Sequence, residues 1–289
     1  MPPSDSIFYN GDTMDILLGH SPDPDDAFMF YGLAKGGVDP GPYRFTHILQ
    51  DIETLNRRAL NGELHISAVS IHAYAHLQDK YALLSSGASM GDGYGPMLVA
   101  RPGLTLDEAK RRTIAVPGTL TSAFLALRLA IGDYEHAVVP FDEITQRVAA
   151  GEYDAGLIIH EGQLTYASEG LNLLLDLGIW WGDETGGLPL PLGGNAVRRD
   201  LGAARMAELN GILKASIAYG LEHREEAVKY ALDFGRGLDL GLADRFVGMY
   251  VNELTLDYGE RGRESIARFL RLAHERGYLD APVEVQFIT

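Results

Sequence analysis

His160 and Glu161 close the run Asp154-Ala-Gly-Leu-Ile-Ile-His-Glu161. Ala155 to Ile159 is apolar without alternation, the pattern of a short strand covered on both faces. In open α/β sheets, ligands bind beyond the carboxyl ends of strands. A histidine placed there changes protonation near neutral pH and can serve as a general base. The competing reading is a strand-end histidine bonded to a loop carbonyl. Glu161 would either orient the imidazole or cap the next helix.

Other residues compete for chemistry. Gly118-Thr-Leu-Thr-Ser122 leads into a helix, so Thr121, Ser122 and the free amides of that helix suit a carboxylate or phosphate, or Thr121 and Ser122 simply cap it. His20-Ser21-Pro22 follows the first strand, and Ser21 with the next helix start could also hold an anion. The aspartates beside it oppose that. Asp23, Asp25 and Asp26 fit a helix entry, with Asp23 as N-cap and Pro24 as first helical residue; magnesium ligation is the rival reading. His72 and His76 stand four apart on a predicted helix, without the glutamate of a His-Glu-x-x-His site. Trp180-Trp181 could line a cleft or fill a core. Gly91 to Gly95 lacks the spacing of a dinucleotide fingerprint, and neither a Walker A sequence nor a Gly-x-Ser-x-Gly elbow occurs.

The elements that must position these residues alternate. Asp15–Gly19, Tyr43–Leu49, His65–Val69 and Tyr81–Ser85 read as strands, with helical stretches after each of the first three. Strand-helix alternation predicts a mainly parallel sheet. A second such series includes strands at 113–116, 137–139, 155–159 and 171–175. Gly186 to Gly194 holds two prolines and two glycine pairs, so it is extended and reads as a return crossing. From Arg199 onward the pattern is helical, and these helices should pack on the first lobe. The reading is an α/β chain of two lobes around a central cleft. Residues 1–100 start lobe 1, 101–194 form lobe 2, and 195–289 return to lobe 1. The cleft is the natural place for a small-molecule ligand.

Composition narrows the function classes. The 289 residues carry a net charge of −16, unlike a binder of nucleic-acid phosphates. Without cysteine there is no disulfide, zinc thiolate or Cys nucleophile. No apolar run reaches the length of a membrane span, and Met1–Ser6 lacks the basic start of a leader, so a cytoplasmic protein is expected. Nothing in the sequence settles an oligomeric state.

Five ordered pieces carry a family resemblance: Gly19-His-Ser-Pro-Asp-Pro-Asp-Asp-Ala-Phe28, Asp51-Ile-Glu-Thr-Leu-Asn56, Ala115-Val-Pro-Gly118, Gly156-Leu-Ile-Ile-His-Glu161 and Gly187-Leu-Pro-Leu-Pro-Leu-Gly193. Tyr250-Val-Asn252 adds a sixth. Together the chain resembles the 1,4-dihydroxy-6-naphthoate synthases of the futalosine route to menaquinone. The resemblance implies a fold like type II periplasmic solute-binding proteins. It implies a lyase that splits cyclic dehypoxanthinyl futalosine, needing no cofactor and no metal. The family's base falls on His160, its hydroxyl pair on Thr121 and Ser122, and its third-strand substrate segment on Ala68, Val69 and Ser70.

The chain also departs from the family. Asp23, Asp25 and Ala27 stand where relatives often carry Cys, Asn and Thr. Ala68 stands where many carry a lysine, which leaves any substrate carboxylate to another residue, with Arg57 a candidate by position. Two other functions suit the same fold: a solute-binding protein without catalysis, and a sibling chorismate dehydratase.

Overall fold

A computed structural model describes residues 13–234 and 239–289. Met1–Ser6, read above for a leader, lies outside them. In chain order the strands are β1 (Met14–His20), β2 (Tyr43–Leu49), β3 (Ile66–Ser70), β4 (Tyr81–Leu84), β5 (Ser89–Gly91) and β6 (Met97–Ala100). Then come β7 (Ile114–Val116), β8 (His136–Val138), β9 (Ala155–Ile158), β10 (Asn172–Asp176), β11 (Leu190–Arg198) and β12 (Phe287–Ile288).

Two sheets form. The first is seven-stranded, ordered β12-β4-β11-β3-β1-β2, with β5 paired to β11. The second is five-stranded, ordered β10-β6-β9-β7-β8. The fold is α/β with two lobes. β1 pairs in parallel with β2 and β3, and β7 with β8 and β9, as strand-helix alternation requires. Each sheet also holds an antiparallel member that the alternation did not foretell. β11 runs antiparallel to β3, β4 and β5, and β6 runs antiparallel to β9 and β10. Both are crossing strands. Each enters its sheet from the opposite lobe, so it runs against its neighbours.

This topology points the carboxyl ends of β1, β3, β7 and β9 at one space. Apolar packing holds the strands there. Ile16 and Leu18 of β1 pack with Phe28, Leu213, Ile217 and Val247 in one core. Val99, Ala115, Ile144 and Ile158 form another in the second lobe. The helices Ala203–Glu222, Arg224–Leu232 and Leu240–Tyr250 contribute to the first of these cores. Gly259–Glu275 does more than the sequence suggests, because it reaches across to the segment preceding β11.

Trp181 makes that bridge. It is fully buried in the helix Leu177–Thr185, with its Nε1 donating to Ser265 Oγ at 2.9 Å and its ring edge-on to Phe269 at 5.5 Å. Ser265 Oγ in turn donates to the carbonyl of Pro189 at 2.5 Å. Trp181 is thus core, and the alternative that it lines the cleft is set aside. No helix of the described residues is long and apolar enough to cross a membrane.

Trp181→Ala removes a large buried ring and takes from the Ser265 oxygen the indole donor it accepts from. We expect a loss of about 3–5 kcal/mol in unfolding free energy, read by urea denaturation.

Candidate functional site

The space between the lobes is a cavity with about 790 Å³ of empty volume, open solvent at its mouth included. Ser21 after β1, Ser70 at the end of β3, Thr121 and Ser122 after β7, and Ile159 after β9 all line it. The strand-end rule therefore applies to both sheets at once.

Local sequence explains each position. Ser70 sits at the end of an entirely buried strand. Its amide donates to Asn56 Oδ1 at 2.8 Å, and its Oγ accepts from Asn56 Nδ2 at 3.0 Å. Its hydroxyl proton is left to point elsewhere. Thr121 is the N-cap of the helix Ser122–Ile131, accepting from the Phe124 amide at 3.1 Å and donating to the Gly118 carbonyl at 2.9 Å. Ser122 Oγ donates to the carbonyl of Leu192 at 2.5 Å and accepts from the His72 amide at 3.2 Å. The capping reading of the Thr121-Ser122 pair holds for Thr121, and both residues stand where a ligand could meet them. The side chains cap and brace, while the first amides of the helix remain without intrahelical partners beside the cavity.

Contacts across the cleft tie the lobes. Glu53 Oε2 accepts from the Leu120 amide at 3.0 Å, and its Oε1 pairs with Arg57 at 2.7 Å. Gly118 permits this approach, since a Cβ there would lie 2.4 Å from the Glu53 carboxylate. Tyr250 donates to Gln163 Oε1 at 2.7 Å from the other side. Arg57 itself does not line the cavity, and its side chain is mostly exposed. Sequence proximity misplaced it: one helical turn from Glu53, it turns outward to the carboxylate.

The aspartates form one wall. Asp23, Asp25 and Asp26 line the cavity at the start of the helix Pro24–Met29. Asp23 is in the N-cap position, as the sequence predicts, but its side chain makes no cap bond. It accepts from Ser21 Oγ at 2.5 Å instead. Asp26 accepts from the Ser21 amide at 2.8 Å. Both donors of Ser21 are thereby spent, which removes the anion site considered there. Burial, then Asp23, push Asp25 up to about 7, and Glu161 adds to the rise from the opposite lobe. Asp26 is held well above the usual carboxylate range by burial and by Asp25 and Asp23. Among the described residues no group of three or more His, Asp or Glu side chains is arranged to hold a metal ion.

The histidines divide. His20 is buried against Phe30 and His47, and burial with the neighbouring His47 lowers it to about 4. His72 is also buried, its Nδ1 3.3 Å from the Thr121 carbonyl, and burial with His76 lowers it to about 4. His76 falls beyond the short helix Ile71–Tyr74. These rings are packing groups. His160 lies one residue past the lining residue Ile159 and is not itself part of the lining. Its Nδ1 accepts from the Gly162 amide at 2.9 Å and lies 3.7 Å from Glu161 Oε2. An accepting Nδ1 puts the neutral ring's proton on Nε2. That Nε2 is buried with no hydrogen-bond partner among the described residues.

Of the six expected site residues, Ala68, Val69, Ser70, Thr121 and Ser122 share the cavity wall, and His160 stands behind it. Sequence reasoning passed over Asn195 and Gly87. A lone asparagine within the apolar strand Leu190–Arg198 was the available signal.

Comparisons with known proteins show the family and the fold. The family model described as menaquinone biosynthesis matches residues 16–275. The chain belongs to that family. It is 43% identical over 267 residues to a 1,4-dihydroxy-6-naphthoate synthase from Thermus thermophilus, covering 92% of this chain and 96% of the relative. It is 37% identical to the enzyme of the same name from Streptomyces coelicolor, covering 92% and 95%. Protein AF1704 from Archaeoglobus fulgidus superposes with a TM-score of 0.87 at 47% identity, covering 91% of this chain and 98% of that one. The alkanesulfonate-binding protein SsuA from Xanthomonas axonopodis, bound to MOPS, superposes with a TM-score of 0.71 at 14% identity, covering 94% and 96%. That last likeness establishes the periplasmic-binding-protein-like fold alone.

Asp25 sets a pH dependence. Its pKa is raised in the folded chain, so the fold holds a proton that the unfolded chain releases near pH 4. Stability contributed through this group falls as pH rises from about 4 to about 7, and the cost is complete above that. Asp25→Asn is expected to stabilise the protein by about 2 kcal/mol near pH 8 and by almost nothing near pH 4, measured by denaturation at both values.

Proposed function

We propose that this chain is a lyase that converts cyclic dehypoxanthinyl futalosine to 1,4-dihydroxy-6-naphthoate. The observation that carries the reading is the cleft itself: the Ser70 wall, the Thr121–Ser122 helix start and the end of β9 meet at one cavity, in a family whose named relatives are 1,4-dihydroxy-6-naphthoate synthases. The substrate would lie between the lobes. Ser70 and the first amides of the Ser122–Ile131 helix would hold its polar groups, and closure would exclude water.

His160 is the proposed base. To accept a proton at Nε2, the ring must first carry its own proton on Nδ1. The Gly162 amide opposes that tautomer, and Glu161, 3.7 Å from Nδ1, is the group that would receive the Nδ1 proton. Substrate binding would therefore re-pair the ring from Gly162 to Glu161 and bring Nε2 to the cavity. Removal of a proton would release electrons for carbon–carbon cleavage, and formation of the aromatic product would drive it. This chemistry asks for positioning and one base, with no cofactor, and suits a cytoplasmic enzyme.

The test is a turnover assay on purified, chelator-treated protein with cyclic dehypoxanthinyl futalosine, following the naphthoate. His160→Ala should lower kcat by at least about a thousandfold while the substrate's Kd changes by no more than a few-fold. Unchanged turnover in that variant would reject the base. Binding without product in the unaltered protein would favour the solute-binding alternative.

A further inference from the structure

Asn195 is 1% exposed and lies in β11, where it stands directly opposite Ala68 of β3. It lines the cleft cavity, and its Nδ2 has no hydrogen-bond partner among the described residues. The two residues that frame the amide cannot bond to it. Ala68 offers a methyl group. Gly87 offers no side chain, and a Cβ there would lie 2.1 Å from Asn195 Nδ2. Gly87 also has φ +83°, a conformation that suits glycine, so the space beside the amide is protected twice. Buried amides in folded proteins are almost always bonded, and an unpaired one on a cavity-lining residue can be satisfied by an acceptor of the ligand.

The rest of the lining says what kind of acceptor. Among the described residues no lysine, arginine or histidine lines the cavity, and three aspartates do. An anionic oxygen of a ligand must therefore be met by neutral donors. Those include the Asn195 amide, the Ser70 and Ser89 hydroxyls and the first amides of the Ser122–Ile131 helix. The aspartates repel an anion and accept from hydroxyl groups.

We propose that Asn195 is a specificity-determining substrate residue, whose Nδ2 donates to the carboxylate of the ligand while the aspartate wall takes its hydroxyl groups. This rests on the lyase reading, which supplies a ligand with both kinds of group. It assigns the recognition of the carboxylate to a neutral amide in place of a cation.

The experiment measures binding of 1,4-dihydroxy-6-naphthoate and of 1,4-dihydroxynaphthalene, which lacks the carboxylate, by calorimetry. The full chain is compared with Asn195→Leu and Asn195→Asp, and the melting temperature of each ligand-free protein is recorded. Leucine keeps the volume and removes the donor; aspartate keeps the shape and replaces it with an acceptor. The naphthoate should bind about tenfold more weakly to Asn195→Leu and more weakly still to Asn195→Asp. Naphthalene affinity and the ligand-free melting temperature of Asn195→Leu should hold. Equal loss for both ligands, a fallen melting temperature in Asn195→Leu, or no loss at all would overturn the assignment while leaving the lyase reading intact. Failure of the unaltered protein both to bind the naphthoate and to turn over the cyclic substrate would instead overturn the lyase reading, and this assignment with it.

Discussion

Glu53 holds the two halves of the cleft in register. One carboxylate oxygen is fixed by Arg57 on its own helix, and the other accepts from the Leu120 amide of the opposite lobe. A bond to a charged acceptor is stronger than a neutral one, and the Glu53 side chain is largely buried. The approach is so close that only glycine fits at 118. Everything that follows depends on that spacing: the Ser122–Ile131 helix start is set against β3, and Ser122 can brace both the His72 amide and the β11 carbonyl at Leu192. The wall of the site is thus a joint between lobes, with no separate scaffold beneath it.

The polarity of the cavity is unequal. Its aspartate side is crowded with carboxyl groups whose donors from Ser21 are already used; burial keeps Asp25 partly protonated near neutral pH and holds Asp26 well above the usual carboxylate range. A protonated carboxyl can donate as well as accept, so this wall suits hydroxyl groups in either direction. The opposite wall is neutral and rich in donors. Such a division orients a ligand that is itself divided, without any formal ion pair. It also fits a chain whose net charge of −16 would otherwise repel an anionic substrate.

Much of this was legible in the sequence because strand ends leave chemical marks. The apolar run 155–159 followed by His160, and the buried strand Ile66–Ser70 ending at Ser70, stop at a polar residue; Ser70 lines the cavity, and His160 stands one residue behind its wall. Asp51 caps its helix through the Thr54 amide, as its position suggests. Three features were not legible. The antiparallel entry of β6 and β11 depends on the direction of a chain crossing between lobes, which no local periodicity encodes. Arg57 was misplaced because distance along a helix says nothing of the face a side chain takes. Asn195 was missed because its significance lies in what its neighbours lack, and Gly87 and Ala68 become its neighbours only in three dimensions.

The seat of His160 is as closely built as the joint at Glu53. Gly162 donates its amide to Nδ1, and a Cβ on Gly162 would lie 2.7 Å from the ring's Cε1. Phe141 packs edge-on at 5.6 Å. The ring is therefore held in the tautomer whose Nε2 donates, away from the cavity lining. On the lyase reading this is a resting arrangement, in which the base is withheld until the cleft is filled. Glu161 couples the two events, because it faces His160 within its own lobe and raises Asp25 from across the cleft. On that reading Glu161 is the carboxylate that stands beside both the aspartate wall and the seat of the histidine.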